Sequence, residues 1–277
     1  MSSFDRVNHD ILMGLVAKRV VDKRVLKLIR GFLTAGVLMD GLVGPTEEGT
    51  PQGGPLSPLL SNLMLDVLDK ELERRGLNFV RYADDCNVYV RSQRSGERVM
   101  ASIEKFLLKR LKLRVNKAKS AVARPAKRKF LGFSFTSGRK PRRRIAPQSL
   151  ARFRSRVREL TRRTRGSSLA QIIKELSVYL IGWRGYFGFC ETPSVLHELD
   201  KWPRRRLRAI VWKQWRSGPT RFVELRRRGV GPALAAKTAG SPRGPWRLSN
   251  SPALSMALPN AFFKSLGLAT VAVPKHA

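Results

Sequence analysis

Apolar residues mix helical and strand-like spacing in the first half of the chain and keep to helical spacing over most of the second half. Over residues 10–36 they recur every three to four positions, which predicts one or two helices. Residues 56–76 predict another helix, which ends in a basic turn and a glycine. Residues 78–91 place β-forming side chains on both sides of Asp84 and Asp85, a pattern typical of a hairpin with an acidic tip.

The next segment continues this mixture. Residues 97–111 predict a helix, residues 111–115 and 120–123 are strand-like, and residues 129–135 predict a second hairpin. Helices that alternate with hairpins indicate an α+β domain with a mostly antiparallel sheet.

A change of composition at residues 138–144, GRKPRRR, predicts a basic linker. The pattern beyond it predicts helices over residues 148–164, 169–189 and 194–216. After Gly218 the glycine and proline content rises, and the pattern leaves the secondary structure open.

The charge is far from balanced. Lys and Arg number 55 against 20 Asp and Glu, a net charge of +35. Residues 1–137 carry 25 basic and 14 acidic side chains, and residues 138–277 carry 30 and 6. Such a surface attracts polyanions, and the spread of basic residues along the chain favours nucleic acid over a membrane surface. Metal-dependent chemistry is therefore expected in the first half and phosphate binding in the second.

Other features narrow the class of protein. Two cysteines, Cys86 and Cys190, are too few for a disulfide framework or a four-cysteine zinc site, which favours a reducing compartment. Without an apolar run of about 20 residues or a signal peptide, we expect a cytoplasmic protein with no membrane partner. The three histidines, His9, His197 and His276, lack metal-ligand spacing.

Asp84 and Asp85 within the sequence Tyr-Ala-Asp-Asp are the strongest local signal. Adjacent carboxylates at a rigid hairpin tip can reach a common divalent ion. Two such ions activate an attacking hydroxyl and stabilise the leaving oxygen in nucleotidyl transfer. The alternative for an isolated Asp-Asp pair is a plain surface turn.

A Gly/Pro-rich loop at residues 44–55 precedes the helix predicted at 56–76. Its glycines, Gly53 among them, allow close approach of the backbone to a ligand, and Gln52 offers both a donor and an acceptor. The N-terminus of the following helix would suit phosphate. The alternative is an ordinary turn that starts a helix.

The order of a Gly-rich Pro-Gln-Gly loop, a helix and a Tyr-Ala-Asp-Asp hairpin resembles the palm of bacterial-type group II intron reverse transcriptases. Further stretches resemble other motifs of the same family. The palm-like segments are 4–13, 49–62, 79–90, 111–120 and 129–135, and the segments similar to the thumb or maturase region are 181–190, 225–230 and 244–254.

The resemblance implies roles for individual residues. Asp84 and Asp85 would be ligands of a two-ion Mg²⁺ site, with Asp84 the more essential. Phe4 would be the aromatic steric gate beside the incoming sugar, and Lys119 a proton donor to pyrophosphate. For Phe4 the alternative is a core residue, and for Lys119 a solvated lysine.

The remaining implied roles concern the nucleotide and the primer. Gln52, Gly53 and Tyr82 would bind the nucleotide near the forming base pair, and Leu131 and Gly132 would lie in the primer grip.

The start of the chain departs from the family pattern. The catalytic aspartate that precedes the aromatic gate in the family would fall before Met1, as would the fingers region. Asp5 follows the gate and should point elsewhere, and Asp10 is expected near a helix N-terminus. We therefore expect a truncated chain with weak or no polymerase activity, unless a separate N-terminal fragment supplies the missing carboxylate.

Arginine clusters in the second half indicate a surface for nucleic acid, because arginine makes forked hydrogen bonds to phosphate and stacks on bases. Interleaved aromatic residues would either stack on unpaired bases or fill a core. The candidate arginines are Arg142, Arg143, Arg144, Arg152, Arg156, Arg162, Arg163, Arg204, Arg205 and Arg206, and the aromatic residues are Trp183, Tyr186, Phe187, Trp202, Trp212 and Trp215.

The expected fold class is α+β: a reverse-transcriptase palm with antiparallel sheet plus helices, followed by an α-helical thumb or maturase domain. The expected domains are a partial palm at 1–137, a linker at 138–144, a thumb at 145–218 and a maturase-like tail at 219–277. The expected function is RNA-directed DNA polymerisation with splicing assistance. Its partners would be intron RNA, an RNA template with a DNA primer, and deoxynucleoside triphosphates. The alternative is an inactive RNA-binding maturase remnant.

Overall fold

The computed structural model describes residues 7–35, 37–39, 42–44 and 54–272. The predictions for Phe4, Gln52 and Gly53 lie outside these residues. The chain divides into two compact units, residues 1–124 and 125–277, and each has its own hydrophobic core.

The first unit holds four helices and two antiparallel strand pairs among its described residues. The helices predicted within 10–36 and 56–76 and the hairpin predicted within 78–91 are confirmed. The elements are α1 (His9–Ala17), α2 (Lys23–Thr34), β1 (Val37–Met39), β2 (Leu42–Gly44), α3 (Ser57–Arg74), β3 (Asn78–Tyr82), β4 (Asp85–Tyr89) and α4 (Gln93–Phe106).

Short polar side chains start three of these helices. Asn8 Oδ1 accepts from the Ile11 amide at 3.0 Å, and Asp22 Oδ1 accepts from the Arg24 amide at 2.7 Å. Ser92 Oγ accepts from the amide of Ser95 at 3.2 Å. These bonds satisfy amides that have no partner within the helix.

Leucines dominate the core of the first unit. Leu12, Leu33, Met64 and Leu72 have no exposed surface, so α1, α2 and α3 bury their apolar faces together. A close approach ahead of α3 requires glycine, because a Cβ on Gly54 would lie 2.7 Å from the Phe32 ring.

The strands expected at residues 111–115 and 120–123 are wrong. A π-helical turn, Leu107–Leu111, continues α4, and Lys112 then takes a left-handed conformation at φ = +56°. Leu111 and Leu113 are buried in the core without a paired strand beside them. The alternation of apolar residues here reflects burial and not sheet pairing.

The second unit contains eight helices and one strand pair among its described residues. It opens with a 3₁₀ turn at Pro125–Lys127. The elements are β5 (Phe133–Phe135), β6 (Arg143–Ile145), α5 (Pro147–Leu160), α6 (Leu169–Phe187), α7 (Pro193–Gln214), α8 (Gly218–Arg227), α9 (Pro232–Ala239), α10 (Pro245–Leu248), α11 (Pro252–Ala257) and α12 (Asn260–Ser265).

The second hairpin differs in its partner strand. β5 pairs with β6 in the register Phe133↔Ile145 and Phe135↔Arg143, so the segment predicted as a linker at 138–144 partly forms a strand. Residues 125–137 accordingly belong to the second unit. The four domains given above stay a prediction. The structure divides into its two compact units after residue 124, whereas the predicted palm ends at residue 137.

Aromatic rings fill the core of the second unit. Phe153 and Trp183 have ring centroids 4.8 Å apart, and Trp183 and Phe187 have centroids 4.5 Å apart. Trp212 is 1% exposed. Of the six aromatic residues considered above, Trp183, Phe187, Trp212 and Trp215 are buried, Trp202 is half-buried and Tyr186 is exposed.

Proline starts most of the helices in the second unit. Pro219, Pro232, Pro245 and Pro252 lie in the first turns of α8 to α11. Proline suits this position because its fixed φ is helical and its missing N–H would have no helical partner. In the part of the chain that the structure describes, no helix is both long enough and apolar enough to cross a bilayer.

A buried carboxylate fastens the last described residues. Asp200 on α7 accepts hydrogen bonds from the amides of Val271 at 2.7 Å and Ala272 at 3.0 Å, and it is 6% exposed. Two charge-assisted bonds therefore connect α7 to the chain that follows α12.

We predict that Asp200→Ala lowers the free energy of unfolding by roughly 2 to 3 kcal/mol, because one buried and one half-buried amide lose a charged acceptor. Urea unfolding would measure this loss, and hydrogen exchange would show faster exchange at Val271 and Ala272. The control is Glu198→Ala on the same helix, where an exposed carboxylate pairs with Lys201. Equal effects of the two substitutions would contradict the role of Asp200.

Candidate active site and nucleic-acid interface

The acidic tip is a two-residue turn between β3 and β4. Tyr82 and Asp85 form the last pair of the hairpin, and Ala83 and Asp84 make the turn. Ala83 has φ = +52°, a left-handed conformation that costs a residue other than glycine about 1 kcal/mol. Alternation along β3 turns Phe79 toward the core and leaves Tyr82 exposed.

Arg81 fixes the tip to helix α3. Its Nε and Nη2 donate to the two carboxylate oxygens of Asp69, at 2.8 and 2.5 Å, in a forked pair. Its Nη1 donates to Asn62 Oδ1 and to the carbonyl oxygen of Ala83, each at 2.9 Å. Asn62 and Asp69 lie about two helical turns apart on one face of α3. The guanidinium therefore links that face to the backbone of the turn, where Ala83 is strained.

The carboxylates of Asp84 and Asp85 are exposed and make no hydrogen bond or ion pair with other described residues. Within the ranges that the structure covers, no group of three or more His, Cys, Asp or Glu side chains converges to hold a metal ion. Mg²⁺ commonly takes one or two protein carboxylates and completes its shell with substrate phosphate and water. The donor set of this pair fits Mg²⁺ on those terms.

The neighbouring thiol does not compete as an anionic ligand. Burial raises the pKa of Cys86 to about 11, and the nearby Asp69 adds to the rise while Arg81 opposes it. The thiol is therefore protonated at neutral pH, and the ligand atoms at the tip are oxygens.

Lys119, the candidate proton donor, belongs to the same unit as the aspartates. It lies in a turn in which the side chain of Asn116 accepts from the amides of Ala118 at 3.1 Å and Lys119 at 3.2 Å. Lys119 is exposed, and its pairing with a phosphate stays a prediction.

The candidate primer grip is a second tight turn, and it belongs to the other unit. Leu131 and Gly132 have φ of +49° and +77°, the conformation of a type I′ hairpin turn. The Leu131 carbonyl accepts from the Tyr186 hydroxyl at 3.0 Å, and the Gly132 carbonyl accepts from Ser149 Oγ at 3.0 Å. A Cβ on Gly132 would lie 3.1 Å from the Phe187 ring on a backbone with φ of +77°, so any other residue would be strained here.

The ten candidate arginines fall into two groups. Five are exposed: Arg142, Arg152, Arg156, Arg162 and Arg163. Two of these also have a partner within the protein, since Arg156 pairs with Glu159 at 2.6 Å and Arg152 donates to Ser149 Oγ at 3.3 Å. Five are half-buried and engaged within the protein: Arg143, Arg144, Arg204, Arg205 and Arg206.

Arg206 illustrates the engaged group. Its Nε donates to Thr161 Oγ1, and its Nη2 donates to the carbonyls of Arg158 and Thr161, each at 3.3 Å. These bonds place a cation at the C-terminus of α5, where helix carbonyls lack partners. Burial lowers the pKa of Arg206 from its usual value, and repulsion from Arg158 and Arg163 adds to this. Arg206 therefore stabilises the fold.

Two known protein families match the chain in sequence. Residues 1–135 match the reverse transcriptase (RNA-dependent DNA polymerase) family, and residues 150–229 match the group II intron maturase-specific domain. The chain belongs to the group II intron reverse transcriptase and maturase family. The first match contains Asp84 and Asp85, and the second contains most of α5 and all of α6, α7 and α8.

Individual relatives of this family align over short stretches. Protein YkfC of Escherichia coli K12 is 44% identical over 77 residues, 28% of this chain and 20% of YkfC. The group II intron-encoded protein LtrA of Lactococcus lactis is 42% identical over 78 residues, 28% of this chain and 13% of LtrA. A 91 kDa protein in the cob intron of Schizosaccharomyces pombe is 40% identical over 70 residues, 25% of this chain and 9% of that protein. The chain thus matches a fifth or less of the length of these curated relatives.

Sequence reasoning missed the residues that support the acidic tip of this reverse-transcriptase segment. Arg81 stands in phase with Phe79 on the inward face of β3, where an apolar residue would be expected. A charged residue at such a position needs a buried partner. That signal was present, but it could not identify Asn62 and Asp69 on α3 as the partners.

We predict that Arg81→Gln loosens the turn and lowers the free energy of unfolding by on the order of 2 kcal/mol, because Asp69 and the Ala83 carbonyl lose their donor. Hydrogen exchange of the amides in residues 83–86 should rise about tenfold. Arg81→Lys should give nearly the same loss of stability and the same rise in exchange, since a lysine cannot form the forked pair with Asp69.

The matched control is Arg75→Gln, which removes a cation that pairs with Glu71 on α3 and donates to Ser102 at 2.9 Å. It should leave exchange at residues 83–86 unchanged. Equal exchange at the tip in the Arg81 and Arg75 variants would contradict the role of Arg81.

Proposed function

We propose that this chain is the polymerase and maturase part of a group II intron-encoded protein, which copies RNA into DNA and binds intron RNA. The observation that carries the proposal is the exposed Asp84-Asp85 pair at a rigid turn, within the segment that matches the reverse transcriptase family. The resident ion would be Mg²⁺, and the compartment the bacterial cytoplasm. Its partners would be intron RNA, a primed template and deoxynucleoside triphosphates.

The carboxylates of Asp84 and Asp85 would hold Mg²⁺ beside the primer terminus. When bound, Mg²⁺ would activate the primer hydroxyl and stabilise negative charge on the departing pyrophosphate. Arg81 would keep the two aspartates in position through the Ala83 carbonyl. Because the tip is exposed, a bulky substrate can reach both carboxylates.

The other candidate residues take roles around this pair. Tyr82, with 64% of its surface exposed beside Asp85, would line the nucleotide site together with Phe4, Gln52 and Gly53. Lys119 would give a proton to pyrophosphate.

The primer would rest against the turn formed by Leu131 and Gly132. Their positive φ values and packed surroundings give this turn one fixed shape. In the proposed fold, the palm is followed by an α-helical thumb.

The second unit would bind RNA through its exposed arginines. Residues 138–277 carry 30 basic and 6 acidic side chains, so few local carboxylates neutralise them. Binding of this kind releases counterions from the phosphates and weakens steeply as salt rises.

A second candidate function is RNA binding without polymerisation, as in a maturase. The observation that favours it is the separation of the two features, since the strongly basic segment belongs to a unit that does not contain Asp84 or Asp85. RNA binding would then require neither carboxylate.

We predict that Asp84→Ala abolishes Mg²⁺-dependent extension of a DNA primer on an RNA template and leaves RNA affinity unchanged within about twofold, because the lost group is a metal ligand. Primer extension and filter binding measure the two properties. Asp22→Ala, an exposed carboxylate at the start of α2, is the control. Extension by the Asp84 variant would refute the metal role, and RNA binding by wild type without any extension would favour the second function.

We predict different effects for exposed and engaged arginines. The pair Arg162→Ala and Arg163→Ala should weaken RNA binding about tenfold near 0.1 M salt and reduce the salt slope by roughly 1 to 2, because both guanidinium groups are exposed. Arg206→Ala should leave that slope unchanged and lower the free energy of unfolding by roughly 1 to 3 kcal/mol. Salt titrations of RNA binding and urea unfolding measure the two effects. If Arg206→Ala reduced the salt slope and the Arg162 and Arg163 substitutions lowered only the free energy of unfolding, the assignment of the exposed arginines to RNA binding would be wrong.

A further inference from the structure

An open cavity in the second unit combines cationic and aromatic side chains. It encloses about 560 Å³ between the middle of α7 and the segment around α10. Arg205, Arg243, Trp246, Arg247 and Asn250 line it. Its volume lies within the roughly 300 to 1,000 Å³ typical of sites for small ligands. None of the functions considered above uses this cavity.

The aromatic wall of the cavity is held rigidly. The Trp246 carbonyl accepts from Ser249 Oγ at 2.7 Å and from Arg205 Nη2 at 3.3 Å. The Arg205 guanidinium carbon lies 4.1 Å from the ring centroid of Trp246. Even so, 38% of the Trp246 surface stays exposed, whereas Trp183, Trp212 and Trp215 are buried. A fixed aromatic surface binds a planar group with little loss of conformational entropy.

The charge of the cavity is not neutralised locally. The guanidinium groups of Arg243 and Arg247 are exposed and make no hydrogen bond or ion pair in the described part of the chain. Among the residues that the structure describes, no Asp or Glu lines the cavity. Like charges brought together repel one another, so an anion that binds between them is stabilised.

We propose that this cavity binds one unpaired nucleotide of RNA, with the base stacked on Trp246 and the phosphate held by Arg243 and Arg247. The proposal rests on the RNA binding proposed above and assigns it a local site. An aromatic face with adjacent arginines is the combination that binds single-stranded nucleic acid. A free phosphate, in contrast, has no planar group that could stack on the ring. The Asn250 amide, which is both donor and acceptor, can contact the edge of the base.

The experiment measures binding of a fluorescein-labelled six-nucleotide uridine RNA to the full chain by anisotropy. Trp246→Ala should weaken binding about tenfold, and Trp246→Phe should keep affinity within about threefold, because stacking needs a ring more than an indole. Arg243→Ala and Arg247→Ala should each weaken binding about fivefold. The matched control is Arg216→Ala, an exposed arginine beyond the end of α7 that does not line the cavity.

A second measurement uses wild-type protein alone, so that it does not depend on the folding of any variant. RNA that carries 4-thiouridine should crosslink under ultraviolet light to the peptide that contains residues 243–252.

A third measurement compares wild type with the Trp246→Ala variant on a blunt RNA duplex. The two proteins should bind the duplex with the same affinity, because its bases are not free to stack.

The outcomes separate this site from RNA binding in general. Loss of single-strand affinity in the Trp246 and Arg243 variants, with Arg216→Ala unaffected, supports the site. If wild type binds RNA but Trp246→Ala binds the single strand equally well, or crosslinks map elsewhere, the site is overturned and RNA binding stands. If wild type binds neither single-stranded nor structured RNA, both proposals are overturned.

Discussion

Excess positive charge is the constraint that shapes this protein. With 55 basic and 20 acidic side chains, most of the basic side chains cannot each have a carboxylate of their own. The second unit satisfies many of them with backbone carbonyls, as when Arg208 donates to the Leu258 carbonyl at 3.0 Å and Arg221 to that of Trp215 at 2.8 Å. Aromatic faces satisfy others, since the Arg221 guanidinium lies 4.7 Å from the Trp212 ring centroid. These partners carry no negative charge, so the surface stays strongly cationic.

The first unit uses its arginine at the hairpin in a different way. Arg81 there has a carboxylate partner, Asp69, and directs its remaining donor to the carbonyl of Ala83. The forked pair is mostly shielded from water, with the two side chains 13% and 21% exposed, so its geometry is well fixed. The unit thus combines a rigid support with two carboxylates that face solvent. That combination suits chemistry on a large polyanionic substrate.

Much of the fold could be predicted from the sequence, and the failures have physical causes. Helical spacing predicted α1 to α3 and α5 to α7 closely, and the acidic hairpin was placed correctly. The strand expected at 111–115 was wrong because its alternation serves burial of Leu111 and Leu113. The sequence did not predict helices α8 to α11, because proline usually indicates a loop. In these helices it lies in the first turn, where it starts a helix.

The candidate site was less predictable, because exposure and pairing depend on tertiary contacts. The sequence identified Asp84 and Asp85. It could not distinguish an arginine such as Arg163, which is exposed, from one such as Arg206, which donates to the last carbonyls of α5. Trp246 stood out in the sequence only as part of the maturase-like segment 244–254, and its packing against Arg205 is what reveals a fixed, partly exposed ring.

The arginine-to-carbonyl bonds have a consequence for behaviour in acid and base. Neither partner gains or loses a proton between about pH 4 and pH 10, so these contacts contribute no pH dependence to stability. The second unit should therefore keep most of its internal framework across the whole range of acidity in which proteins held by carboxylate pairs begin to loosen.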